Sequence, residues 1–268
     1  MIELLYSEKP LVMGILNTTP DSFYDGGRHQ TEQNILQRAT QILTEGGDII
    51  DVGGYSSRPY ALEVSLEEEL QRVIPAIKLI LKTYPNAVIS VDTFRAIVAQ
   101  EAVWAGAKLV NDISGGELDA KMFETVAKLG VPYILMHNKG TPQTMQSLTD
   151  YDDIVKEIKY YFAKKSTELL ALGVKDIILD LGFGFAKTLQ QNYFLLKYLQ
   201  VFQTLNLPIL VGVSRKSMVY KALNINALGA LNGSTVLHTI ALLKNAKILR
   251  VHDIREARET ITLLELMK

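Results

Sequence analysis

Short apolar runs recur along the chain, each closing on polar or glycine-rich residues. They fall at Val12–Asn17, Ile49–Gly54, Val88–Thr93, Leu109–Ser114, Tyr133–His137, Ile177–Gly182, Ile209–Ser214 and Ile248–Asp253. Runs this short and rich in branched residues predict strands buried on both faces. Between them the period changes to that of a helix. Glu32–Glu45 puts Ile35, Leu36, Ala39, Ile42 and Leu43 on one face, and Leu66–Leu81 does the same with Leu70, Val73, Ile74, Ile77, Ile80 and Leu81. Ala96–Ala105, Ala120–Leu129, Tyr151–Leu172, Asn192–Phe202, Lys216–Leu223, Gly233–Lys244 and Ile254–Met267 fill the later gaps. Strand–helix alternation without a break in composition predicts a parallel sheet in a single domain over residues 1–268. Eight such units in a chain of this length match a (β/α)8 TIM barrel. An open doubly wound sheet has the same alternation, and sequence alone does not show closure.

In a barrel the loops after the strands carry the chemistry, so the strand ends are read together. They are Asn17 with TTPDSFYDGG, GGYSSRP, SVDT, NDIS, MHN, LDLGFGFAK, GVSRKS and RVHD. Nearly every strand delivers a polar or charged group to one rim. The stretch Ile177–Thr188, IILDLGFGFAKT, concentrates the pattern: a buried strand ends in Asp180, followed by glycines and Lys187. A carboxylate there is costly unless something pairs with it, and glycines allow a tight bend or a close ligand approach.

Composition narrows the classes. A net charge of −1 gives no general electrostatic case for nucleic acid or an anionic membrane. The absence of cysteine excludes disulfides, thiolate metal sites and cysteine nucleophiles. The N-terminal MIELLYSEKP has neither a basic region nor a long apolar one, so no signal peptide is expected. No run approaches a membrane span. The expectation is a cytoplasmic protein.

MGILNTTPDSFYDGG, GGYSSRP, SVDT, NDIS, LMH, LDLGFGFAK, GVSRKS and RVHD resemble, in order and spacing, the strand ends of the dihydropteroate synthases of the pterin-binding barrel family. The resemblance runs from Leu11 to Ile254; TPDSF followed by SRKS and RVHD is its most specific part. It implies displacement of diphosphate from (7,8-dihydropterin-6-yl)methyl diphosphate by 4-aminobenzoate, with Mg2+ assisting. Asp180 and Asn111 then hydrogen-bond the pterin edge, the carboxylate accepting two hydrogens at once. Asp92 lies near the reacting methylene, and Lys216 donates to the pterin carbonyl. Phe185 and Met136 form apolar walls. Arg250 and His252, two apart on one strand and so on one side of it, hold the diphosphate. Asn17 is an oxygen ligand for Mg2+, which takes few protein ligands beside phosphates and water. Asp21, Phe23, Ser57, Arg58 and Pro59 belong to two closing loops, and Ser217 contacts the acid end of aminobenzoate or caps a helix. Structural readings stand beside these: an Asx-turn for Asn111, an N-cap for Asp92, an ion pair for Asp180, core packing for Phe185 and Met136, a buried structural imidazole for His252.

Tyr55 replaces the usual acid of the second loop, Tyr60 a glycine, Leu181 a proline and Ala186 a glycine. The family also implies a homodimer through later helices, with Leu237, Ile240, Leu242 and Leu243 apolar enough to serve. Three other functions remain open at this point. They are an aldolase using Lys216 as a Schiff-base amine, a pterin-dependent methyltransferase, and a non-catalytic pterin-binding paralogue.

Overall fold

The computed structural model describes residue 5 and residues 7–18, 28–55, 64–141 and 143–267. Strands β1 (Leu11–Asn17), β2 (Ile49–Gly53), β3 (Ile89–Asp92), β4 (Leu109–Asp112), β5 (Tyr133–Met136), β6 (Ile177–Asp180), β7 (Ile209–Val211) and β8 (Ile248–Val251) pair in sequence order, all parallel. Strand β8 returns to β1 and closes the barrel. That removes the open sheet. Helices α1 (Arg28–Thr44), α2 (Leu66–Thr83), α3 (Ala96–Trp104), α4 (Met122–Leu129), α5 (Ile154–Ala171), α6 (Leu189–Lys197), α7 (Ser217–Tyr220), α8 (Leu231–Leu243) and α9 (Ile254–Glu265) lie between and after them.

Local chemistry explains where helices begin. Ser65 accepts the backbone N–H of Glu68, and three glutamates in the first turn of α2 face its positive end. Asp153 caps α5 in the same way. Thr188 and Gln191 form a reciprocal capping box on α6. That box starts α6 three residues before the predicted Asn192. The run then tightens into a 3-10 segment at Leu199–Leu205. The predicted helix Lys216–Leu223 is a four-residue turn, and β7 ends at Val211 rather than Ser214. Among the described residues no helix is long and apolar enough to cross a membrane.

The period of two along each strand sorts side chains between two environments. Residues facing outward (Ile50, Val52, Ile89, Val91, Val110, Leu135, Leu179, Val211, Leu249) pack under the helices. Residues facing the axis form a separate cluster at one end: Leu5, Leu11, Met13, Ile49, Leu109, Ile134, Ile178, Leu210 and Ile248. Each of these side chains is 4% exposed or less. Burying each contributes roughly 1.5–3 kcal/mol. This floor seals the barrel from below, so the axis opens at the carboxyl ends of the strands.

Candidate active site

Two residues beyond the floor, the same strands change character. Asp51, Asp92, Asn111, Met136, Asp180, Gly212 and Arg250 follow Ile49, Ser90, Leu109, Ile134, Ile178, Leu210 and Ile248 at the next inward positions. Register places Asp92 beside Asn111 and Met136 beside Asp180. Arg250 ties the polar layer together: Nε donates to Asp51 and Nη2 to Asp92, both at 2.6 Å. Asn111 Nδ2 donates to the same Asp51 oxygen at 3.0 Å. Asp51 is fully buried, and among the described residues its second oxygen has no hydrogen-bond partner.

Burial sets the charge states. It lifts the Asp92 carboxyl to about 7 against the pull of Arg250, with Asp51, Glu69 and Asp112 adding to the rise. It also raises Asp180, opposed first by Lys216 and then by the Gly182 N–H, which donates to Asp180 Oδ1 at 2.8 Å. Burial lowers the Lys216 ammonium to about 8 despite Asp180. With Asp51, Asp92 and Asp180 against Arg250 and Lys216, the layer carries three carboxylates to two cations. A carboxyl with a raised pKa is the expected result.

Lys216 lies 4.8 Å from the Phe185 ring and donates to the Phe183 carbonyl at 2.7 Å. Gly212 leaves space beside it: a methyl there would sit 3.7 Å from the Lys216 nitrogen and 3.8 Å from Arg250 Cβ. Phe185 and Met136 join Ile113, Met145, Ala186 and Phe94 in a small apolar cluster at the mouth. The two sequence-named walls thus meet, and Met145 is added from the loop after β5.

His252 lies just past β8, half-buried, with Nδ1 3.2 Å from Ser214 Oγ. Its imidazole is pushed down to about 4, by burial first and then by Arg250. It is therefore neutral near pH 7. Asn17, at the end of β1, is half-buried. A methyl on Gly53 would sit 3.6 Å from both Asn17 Oδ1 and Asp92 Oδ2, so glycine keeps the gap between these two oxygens open. Among the described residues no group of three or more His, Asp or Glu is placed to hold a metal.

The structural alternatives resolve unevenly. Asp92 is not an N-cap: the Ala96 N–H at the start of α3 donates to Asp119 Oδ2 at 2.8 Å. Asn111 faces the axis rather than closing an Asx-turn. The N-cap of α7 is Lys216, which makes no side-chain capping bond, and Ser217 is the first residue of the helix. Arg215 belongs to the scaffold, pairing with Asp253 and donating to the carbonyls of Ala227 and Leu228. Asp21, Phe23, Ser57, Arg58, Pro59 and Tyr60 lie outside the described residues. Tyr55 packs edge-to-face on Phe94 at 5.1 Å and beneath the Arg95 guanidinium. Arg95 in turn pairs with the fully buried Glu69.

Sequence reading passed over Asp51, although Ile49, Asp51 and Gly53 alternate as an inward-facing set. It also gave no role to Lys187. That ammonium donates to the carbonyls of Phe185 at 2.9 Å, Gly182 at 3.0 Å and His137 at 3.4 Å, with His137 Nδ1 at 3.2 Å. His137 is held well below its ordinary pKa by burial and by Lys187, so its ring nitrogen can accept. Lys187 thereby straps the glycine-rich loop after β6 to the end of β5.

Comparison with known proteins follows the same geography. The description "Pterin binding enzyme" matches residues 13–252. The dihydropteroate synthase of Escherichia coli K12 is 44% identical over 258 residues, covering 96% of this chain and 91% of that protein. The Yersinia pestis dihydropteroate synthase, solved with a sulfonamide drug complex, superposes with a TM-score of 0.90 at 42% identity, covering 97% of this chain and 94% of that one. The Xanthomonas albilineans dihydropteroate synthase, solved with 4-aminobenzoic acid, has a TM-score of 0.90 at 35% identity, covering 97% of this chain and 93% of that one.

Proposed function

The chain belongs to the pterin-binding enzyme family, as a dihydropteroate synthase of folate biosynthesis, and we propose how its barrel mouth divides the work of that reaction. The reaction joins 4-aminobenzoate to the methylene of (7,8-dihydropterin-6-yl)methyl diphosphate and releases diphosphate. The observation that carries our reading is the polar layer itself: Asp92, Asn111, Asp180 and Arg250 come from four strands onto one axis, above a sealed apolar floor.

In this reading Asp180 accepts the ring N–H and exocyclic amine of the pterin, a charge-assisted pair. Asn111 supplies the mixed donor and acceptor edge. Lys216 turns its ammonium from the Phe183 carbonyl to the pterin carbonyl, and Phe185 and Met136 flank the ring. Asp92 faces the methylene, where positive charge develops as diphosphate departs. Arg250 already spends two donors on Asp51 and Asp92, so it meets the leaving group with its remaining N–H groups, beside His252. Asn17 fits a Mg2+ ligand: it offers a hard oxygen beside Asp92 across an open gap, and Mg2+ needs few protein ligands. When bound, the ion supplies neutralising charge to the diphosphate. Ser57, Arg58, Pro59, Asp21 and Phe23 belong to the closing loops of this reading, and Ser217 to the aminobenzoate end.

A homodimer through α8 completes the proposal. Leu237 and Leu242 turn into the core, whereas Val236 and Leu243 stay 50% and 59% exposed. Sedimentation at micromolar protein concentration checks it, and a monomer would remove it.

The reading is tested by mass spectrometry of a mixture of protein, Mg2+, dihydropterin-methyl diphosphate and 4-aminobenzoate. Dihydropteroate is expected with wild type and not with Lys216→Ala. Product at the wild-type rate from Lys216→Ala would take that lysine out of the site. By calorimetry Asp180→Asn weakens pterin binding by about 1.5–3 kcal/mol; undiminished affinity would remove Asp180 from the pterin edge.

A further inference from the structure

Ser214 is almost fully buried, at 2% exposure, in the turn that follows β7. Its Oγ accepts the backbone N–H of His252 at 3.1 Å. The same oxygen lies 3.2 Å from Nδ1 of the His252 ring. A serine hydroxyl has one proton to give and two lone pairs with which to accept. Were Nδ1 to carry the imidazole proton, Oγ would accept twice and its own hydrogen would be buried with no acceptor among the described residues. That arrangement costs the desolvation of a donor. The satisfied arrangement has Oγ–H donating to Nδ1, which leaves the ring proton on Nε2. Among the described residues Nε2 makes no hydrogen bond.

The backbone of His252 is held on its other side as well. Arg38 on α1 donates from Nη2 to the His252 carbonyl at 2.7 Å and from Nε to the Ile15 carbonyl at 3.1 Å. Main chain and ring are therefore both fixed, from β7 and from α1. We propose that Ser214 is a positioning residue, holding His252 as the Nε2–H tautomer so that a neutral N–H donor is presented to the departing diphosphate. This rests on the placing of His252 at the diphosphate end.

Neutrality fits the surroundings. Burial first, and then Arg250, disfavour an imidazolium; Asp253 opposes them, with Arg38 and Arg215 adding smaller repulsions. A donor without charge aligns the leaving group and adds no further cation to grip the product. The tautomer matters because the other one would turn a lone pair toward the phosphate oxygens and repel them. Second-sphere hydrogen bonds set imidazole tautomers in this way at metal sites as well.

The test uses the full chain labelled with 15N-histidine, which contains four histidines. His252 is assigned by the loss of its signals in His252→Ala. In wild type, Nε2 is expected in the protonated range and Nδ1 in the unprotonated range. Ser214→Ala should mix the tautomers and raise the inhibition constant for diphosphate about tenfold. The KM for 4-aminobenzoate should be unaltered. Ser214→Thr, which keeps the hydroxyl, should restore both. A wild-type spectrum with the proton on Nδ1 overturns the proposal even if Ser214→Ala fails to fold. Unchanged diphosphate affinity in Ser214→Ala, with a mixed tautomer, overturns the functional half. If His252→Ala also leaves that affinity unchanged, what has failed is the placing of His252 at the diphosphate.

Discussion

The floor and the mouth of the barrel are built from the same strands, two residues apart, and obey opposite rules. Below, Leu109, Ile134, Ile178, Leu210 and Ile248 pack with nothing polar to satisfy. Above, Asp51, Asp92, Asn111 and Asp180 occupy inward positions nearly as deeply buried, with the half-buried Arg250 among them. The floor stabilises the fold through area removed from water. The mouth holds three carboxylates in a poorly solvated space. Only part of their charge is answered by Arg250 and Lys216. Burial is thus no measure of stabilisation here. The floor is where the chain gains stability, and the mouth is where it accepts strain in exchange for groups aimed at a ligand.

The separation is broken most forcefully at Arg250. Arg250→Met keeps the volume and leaves Asp51 and Asp92 facing each other without a cation. The expected loss is about 3–5 kcal/mol, the cost of stranding a buried charge. Urea denaturation reads it. Adding Asp51→Asn should recover much of the stability and none of the activity. A loss under about 1 kcal/mol would mean that water reaches these carboxylates and that the mouth is not a desolvated layer.

Leu210→Ala probes the other side of the comparison. Removing a floor side chain with no exposed surface should cost about 3 kcal/mol, transfer and cavity together. Per folded molecule, KM for both substrates should stay where it was. A rise in pterin KM of about tenfold would show that floor and mouth are mechanically coupled.

A different handle on the mouth is the pH dependence carried by Asp92. Its carboxyl is raised in the fold, to about 7 from an ordinary 3.8. An acid whose folded value exceeds its unfolded one holds its proton more tightly when folded. Its contribution therefore favours the fold at low pH and declines as pH rises from about 4 through about 7. Asp92→Asn should flatten that decline in thermal melts recorded without divalent cations. An unaltered slope would place the titration on another group.

The strands and the helix faces were legible in the sequence, the strands as short apolar runs and the helices from a period of 3.6; closure of the barrel and its apolar floor required coordinates. The mouth was legible wherever a strand runs out into polar residues, as at Asp92, Asn111 and Asp180. Asp51 escaped because its strand continues to Gly53, so the rim reading began at the glycines and missed a carboxylate one step inside. Lys187 escaped for another reason. Its acceptors are main-chain carbonyls of Gly182, Phe185 and His137, which no side-chain pattern announces. The double use of Arg250 also required coordinates. Spacing puts Arg250 and His252 on one side of β8 but does not reveal the two aspartates, from β2 and β3, that take two of its donors.

The smallest expected effect lies at Ala186, in the apolar cluster at the mouth, and it measures whether that cluster behaves like the floor. Ala186 has φ of +47°, in the left-handed region, and is fully buried. A non-glycine residue there costs about 1–2 kcal/mol. Ala186→Gly removes that strain. It also gives up one buried methyl, about 0.8 kcal/mol, and frees the unfolded chain by about 0.4–1 kcal/mol. These terms nearly cancel, so the expected change in stability is under about 1 kcal/mol. Denaturant melts of the two proteins decide the matter. A loss of 2 kcal/mol or more would mean that the Ala186 methyl packs with the tightness of a floor residue. The line between a stabilising floor and a strained mouth would then have to be drawn above this cluster rather than below it.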